Sequence, residues 1–191
     1  MPDDPQHQPD DNANDGLARY HRQMLLPGFG EQGQHRLLGA TALLLGCGAL
    51  GSAAADMLAR AGVGHLRIVD RDFIELTNLQ RQVLFDERDV TEGLPKAEAA
   101  RRRLARINSQ VEVTAIVDDV NHGNIERLAD GVDVLVDGLD NFETRYLAND
   151  CAVKHGIPYV YGGAVGTAMV PSSAISMPGS TPYRNSTAPN C

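Results

Sequence analysis

Ala42-Leu43-Leu44-Leu45-Gly46-Cys47-Gly48-Ala49-Leu50-Gly51 is the stretch on which the fold turns. Short apolar runs bounded by glycine read as strands buried on both faces. Beyond the glycines, Leu50, Ala53, Ala54, Met57, Leu58 and Ala61 recur at three-and-four spacing, which predicts a helix with one apolar face. The order strand, G-x-G-x-x-G, helix suits phosphate binding. Gly46, Gly48 and Gly51 permit a tight turn and close backbone approach, and the helix N-terminus supplies positive potential. A second strand at 66–69 ends in Asp70, 19 residues after Gly51, with Asp72 two further on. An acid there reaches ribose hydroxyls. The set indicates an adenine-nucleotide site and leaves NAD against ATP undecided; a glycine turn serving packing alone is the plainer alternative.

The alternation continues outward. A helix is expected over 95–108, with Pro95 in its first turn and Ala97, Ala100, Leu104 and Ile107 along one side. Strands follow at 111–117, 132–136 and 157–161, with a helical turn at 125–129 and a helix over 142–155. Strands interleaved with helices predict an α/β, Rossmann-like, doubly wound and mostly parallel sheet with helices on both faces. Ligands in such sheets bind outside the C-terminal strand ends.

Length and composition set the limits. The 191 residues suit one domain, and 42% hydrophobic with 22% charged residues is ordinary for a globular chain. The net charge of −8 argues against a nucleic-acid partner, which would call for a basic stripe. Residues 1–15 carry five Asp and no Lys or Arg, so 20 acids face 17 basic residues elsewhere, a balance of −3. That polar opening segment is expected to be a disordered tail. The nucleotide-binding domain is expected over 16–170, followed by a Ser-, Pro-, Thr- and Asn-rich stretch, 171–191, read as irregular and poorly ordered. Three cysteines (Cys47, Cys151, Cys191), no leader pattern and no apolar run of membrane-spanning length point to a cytoplasmic protein.

Past the strand-two acids lie Asn78, Arg81 and Lys96, the last at a helix start. A lysine there opposes the helix dipole, which a nearby polyphosphate would reverse. Cations preorganised around a triphosphate stabilise charge developing on departing pyrophosphate. Singly, Lys96 and Arg81 read as solvated surface; together they favour triphosphate chemistry over hydride transfer. Arg101-Arg102-Arg103 with Arg106 lies opposite the apolar stripe and reads as a solvated face. Asp140 and Asn141 close the fourth strand, with Arg145 one turn on. Asp140 reads either as a magnesium partner beside phosphate or as the cap of the helix from Phe142.

The ordered motifs Arg19–Gln23 (RYHRQ), Gly46–Gly51 (GCGALG), Asp70–Gln82 (DRDFIELTNLQRQ), Gly93–Glu98 (GLPKAE) and Gly138–Arg145 (GLDNFETR) resemble the ThiF/MoeB/HesA family, relatives of the ubiquitin-activating enzymes. The resemblance covers about residues 17–170. It implies MgATP-dependent adenylation of the C-terminal glycine carboxylate of a ubiquitin-like sulfur carrier, with pyrophosphate released. It places Gly51 against the nucleotide, Asp72 on the ribose with Asp70 kept beside it, and Asn78, Arg81 and Lys96 on the phosphates. Asp140 becomes the metal-linked acid. Arg22 matches an arginine that enters the partner's site, implying a homodimer with composite sites and a finger-like role.

The chain departs from that pattern near its end. The family's zinc-binding C-x-x-C after the fifth strand has no counterpart around Pro178–Ser186, so no zinc site is expected here. Cys47 and Cys151 read as packing residues, and the chain reads as a shortened version of the enzyme. Three other readings stand beside the adenylyltransferase. They are an inactive nucleotide-binding or dimerisation module, a tRNA-modifying dehydratase of the same family, and an NAD-dependent oxidoreductase.

Overall fold

The computed structural model describes residues 16–162 and 174–176. The expected tail 1–15 and all of 171–191 except a three-residue strand lie outside the described residues. The helices α1 (His21–Met24) and α2 (Gly30–Gly39) precede β1 (Thr41–Leu45), α3 (Ala49–Ala61) and β2 (His65–Val69). Next come α4 (Glu87–Thr91), α5 (Lys96–Ile107), β3 (Glu112–Ile116) and α6 (Ile125–Leu128). The described chain closes with β4 (Val134–Asp137), α7 (Phe142–His155), β5 (Tyr159–Tyr161) and β6 (Ala174–Ser176).

One sheet of order β3-β2-β1-β4-β5-β6 contains all six strands. The first five are parallel, and β6 runs antiparallel to β5. The doubly wound, mostly parallel architecture is therefore as the alternation predicts. The difference is β6, a strand inside the stretch read as irregular, paired Tyr161 to Ala174 just beyond Pro171.

The unbroken apolar run of β1 is explained by burial on both faces. Ala42 and Leu44 pack with Ala55, Ala59, Ala97, Ala100 and Leu104 from α3 and α5. Leu43 and Leu45 point the other way, into Leu128, Ala148, Cys151 and Ala152 from α6 and α7. Gly62, at φ +84, stops α3, and Gly156, at φ +67, stops α7. Pro95 stands one position earlier than expected: it is the N-cap of α5, in extended conformation, and the helix begins at Lys96.

The N-terminal segment that the sequence left without elements is tied down by polar groups. Tyr20 is buried against Gly62, and its hydroxyl accepts from Asn108 Nδ2 at 2.8 Å. The same Asn108 nitrogen donates to the Ala59 carbonyl at 2.8 Å, joining this segment to α3 and α5.

Candidate functional site

Three glycines, two from the turn after β1 and one from the turn after β4, interlock below the site. Gly46 has φ +84, and a Cβ there would meet the Gly138 carbonyl oxygen at 2.8 Å. A Cβ on Gly51 would stand 2.0 Å from the Gly46 oxygen, and one on Gly138 would stand 2.8 Å from Gly51 Cα. Gly51 is buried and does not line the cleft above; its lack of a side chain serves the contact between β1, α3 and the end of β4. The resemblance had set Gly51 against the nucleotide. Gly48 differs, with nothing closer than Gln82 Nε2 at 4.0 Å, and it lines the cleft with Gly46.

That cleft has a volume of about 960 Å³ and opens over the C-terminal ends of the parallel strands. Asp70, at the end of β2, accepts from the Cys47 amide at 2.6 Å and the Asp72 amide at 2.8 Å. Burial raises its carboxyl above the ordinary value, against the opposing pull of those amides and of Lys96. Asp72 Oδ2 instead accepts from Lys96 Nζ at 2.9 Å. Lys96 is only 7% exposed, which sets aside the solvated-surface reading it had when taken singly. An antiparallel bridge between Phe73 and Pro95, with Lys96 N donating to Asp72 O at 2.8 Å, brings the lysine here. The compensating charge for a lysine at this helix start is already supplied by Asp72.

Asn78 is buried, and its Oδ1 accepts from the Glu75 amide at 3.2 Å; Arg81 is exposed, donating to Thr77 O at 2.9 Å. Both line the cleft with Lys96. Arg22 does not: it lies exposed on α1.

The far wall is the turn after β4. Asn141 caps α7, its Oδ1 accepting from Thr144 N at 2.8 Å, so Asp140 is not the cap. Asp140 is exposed in the cleft, and no hydrogen bond or ion pair occupies its carboxylate among the described residues. Arg145 lines the same cleft but is engaged inward. Its Nε donates to the buried Asp137 Oδ2 at 2.8 Å, Nη2 donates to Leu139 O, and its guanidinium stacks 4.5 Å from the Tyr161 ring centroid. Asp137 also takes the Leu139 amide at 2.8 Å and the Tyr159 hydroxyl at 2.5 Å. Burial, then the bond to Asp137, pushes the Tyr159 phenol up, so it stays a donor.

Cys47 is fully buried, its thiol pushed up to about 12 by burial and by Asp70, which leaves no thiolate for nucleophilic work. Cys151 is buried in α7. Sequence reasoning missed three contributors: Gly138, Asp137 and Gln82. Gly138 had a signal, a strand-end glycine in a parallel fold that already carried a glycine turn. Among the described residues no group of three or more metal-ligating side chains comes together, and no helix is long and apolar enough to cross a membrane.

Comparison with known proteins follows the same lines. The chain is 51% identical over 165 residues to the sulfur carrier protein ThiS adenylyltransferase of Bacillus subtilis, covering 86% of this chain and 48% of that one. It is 44% identical over 146 residues to a sulfur carrier protein adenylyltransferase of Thermus thermophilus, covering 76% and 53%. The chain thus spans about half the length of these curated relatives. Among solved structures, the E. coli tRNA N6-threonylcarbamoyladenosine dehydratase in complex with ATP superposes with a TM-score of 0.74 at 28% identity, over 81% of this chain and 62% of that one. The ThiF family matches residues 20–189. The chain belongs to the ThiF family.

Proposed function

We propose that this chain carries the adenylation site of a cytoplasmic sulfur-carrier-activating enzyme. MgATP and the C-terminal Gly-Gly carboxylate of a ubiquitin-like carrier would give an acyl adenylate and pyrophosphate. The observation that carries the reading is the meeting of four features in one cleft: the Gly46–Gly48 turn with the α3 N-terminus, the buried Lys96, the Asn78–Arg81 pair, and the open carboxylate of Asp140. Hydride transfer does not need that set. The 51% identity to the Bacillus subtilis ThiS adenylyltransferase, against 28% to the tRNA dehydratase, supports a carrier substrate over a tRNA.

In this reading the carrier carboxylate attacks the α-phosphorus in line, and the bond to the bridging oxygen of the pyrophosphate breaks. Catalysis is then positioning and charge neutralisation, with no protein nucleophile. The phosphates lie at the α3 N-terminus, where backbone amides and the helix dipole favour anions. An ammonium carries three protons for donation, so Lys96 can hold Asp72 and still reach phosphate. Asp70, its carboxylate oriented by two amides, is the ribose acceptor, while Asp72 positions Lys96. Asn141 and Arg145 shape the turn that presents Asp140.

Magnesium fits Asp140, since this ion is commonly held by one or two carboxylates plus substrate phosphates. Bound there, it would neutralise phosphate charge during transfer. Arg22, outside its own cleft, would complete the site of a second copy in a homodimer.

Thermal unfolding with MgATP or NAD tests the pocket. A ligand at about 100 times its Kd should raise the midpoint by about 5–10 °C. MgATP alone is expected to do so, and pyrophosphate exchange should then depend on a Gly-Gly-ending carrier and vanish in Lys96→Ala. A shift with NAD alone overturns the reading. ATP binding without carrier-dependent exchange leaves an inactive nucleotide-binding module.

A further inference from the structure

We propose that Gln82 is a nucleotide-binding residue whose side-chain amide nitrogen donates to the phosphate end of the ligand beside Gly48. The inference rests on the ATP reading of the cleft and adds a donor to it. Gln82 is only 3% exposed, yet it lines the cleft together with Asn78, Arg81 and Gly48. Its backbone is pinned in a turn, with Gln82 N donating to Asn78 O at 3.1 Å and Phe85 N donating to Gln82 O at 3.2 Å. The side chain therefore leaves a fixed point. Its Nε2 is the nearest atom to the place a Gly48 Cβ would occupy, 4.0 Å away.

The other end of the amide is the informative one. Gln82 Oε1 is buried and no donor among the described residues reaches it. Buried polar atoms nearly always have a partner, and an orphan acceptor costs the fold its lost hydration. A methionine would fill the same space without that cost. The amide makes sense where its nitrogen is needed: both ends come together, and the oxygen is stranded because the nitrogen faces the glycine turn. At that point the α3 N-terminus and Gly48 leave room for an anion, and a neutral amide is a donor that adds no charge repulsion to the nearby Arg81 and Lys96.

The test uses the full chain and its Gln82→Met, Gln82→Asn and Gln82→Glu variants, titrated with MgATP and with adenosine. In Gln82→Met, MgATP affinity should fall about tenfold or more, the loss of one hydrogen bond to a charged group. Adenosine affinity should stay within about twofold, because adenosine brings no phosphate. The ligand-free midpoint of Gln82→Met should rise, since the stranded oxygen is gone. Gln82→Asn, one carbon too short, should lose MgATP affinity similarly. Gln82→Glu should lose more, by repulsion. Unchanged MgATP affinity in Gln82→Met or in Gln82→Asn overturns the proposal, as does an equal loss for adenosine. Failure of the unaltered chain to bind MgATP would instead overturn the functional reading beneath it.

Discussion

A Cβ added at Gly51 would press on the Gly46 carbonyl oxygen from 2.0 Å, whereas one added at Gly48 would meet only Gln82 Nε2, at an unstrained 4.0 Å. The first contact is backbone against backbone and cannot relax by rotating a side chain. Gly51→Ala is therefore expected to cost about 3 kcal/mol of stability or more, the upper range of overpacking. Gly48 has φ −78, outside the left-handed region that favours glycine, so Gly48→Ala should cost about 1 kcal/mol, as for an N-cap change. It should nonetheless weaken MgATP binding at least tenfold, because the methyl takes the place where a phosphate would approach the turn. Urea unfolding and MgATP titration of the two variants check this pair, and equal losses of both properties would refute the division. The motif spacing gave both positions one reason, a tight turn with close approach to phosphate, and the two glycines divide instead. The reason for Gly51 is a contact with Gly46 and Gly138, and Gly138, just past β4, is far away in sequence though adjacent in the sheet.

At the scale of elements, α5 shows how surface charge and apolar packing share one helix. Ala97, Ala100 and Leu104 face the core, while Arg101 and Arg102 fold onto Glu98 at 2.6 and 3.0 Å. The Arg101 hydrogen bond leads the effects that hold the Glu98 carboxyl down at about 2, below its usual 4.5. A depressed folded pKa stabilises above the unfolded pKa and loses that contribution as pH falls. Glu98→Gln should therefore lower stability at neutral pH by only about 0.5–1 kcal/mol, as exposed pairs do. The gap to the unaltered chain should narrow as pH drops from about 4.5 towards about 2, read by urea unfolding across that range. A gap that does not change with pH would assign the loss to packing. The helix itself was legible, as were the bounds of α7, although its cap is Asn141 where the sequence offered Asp140. Residues 18–39 were not. Pro27, Gly28, Gly30 and Gly33 break any apolar period there, and the anchors are polar: Tyr20, and Gln34, whose Nε2 donates to Ala61 O at 3.1 Å.

At the scale of the molecule, alternation of strand and helix was enough to predict the parallel sheet, and its C-terminal edge was the expected place for the cleft. Side-chain pairing across that edge, Lys96 with Asp72 and Arg145 with Asp137, depends on which loops meet and could not be read from spacing. Arg22 raises a different question, since it lies exposed on α1 and outside its own cleft. The network of Tyr20, Asn108 and Ala59 fixes the segment that carries it, so Arg22 projects from a rigid base. If it serves a second copy, Arg22→Ala and Lys96→Ala are defects of different sites. Each variant alone should be inactive in carrier-dependent pyrophosphate exchange. After subunit exchange, a mixed dimer carries both defects in one composite site and neither in the other. With random pairing in a two-fold symmetric dimer, an equal mixture should recover about a quarter of the unaltered activity. No recovery after subunit exchange has been verified would mean that Arg22 and Lys96 serve the same site. Arg22 would then have to reach the cleft of its own chain, by a movement of α1 against the anchors that now hold it.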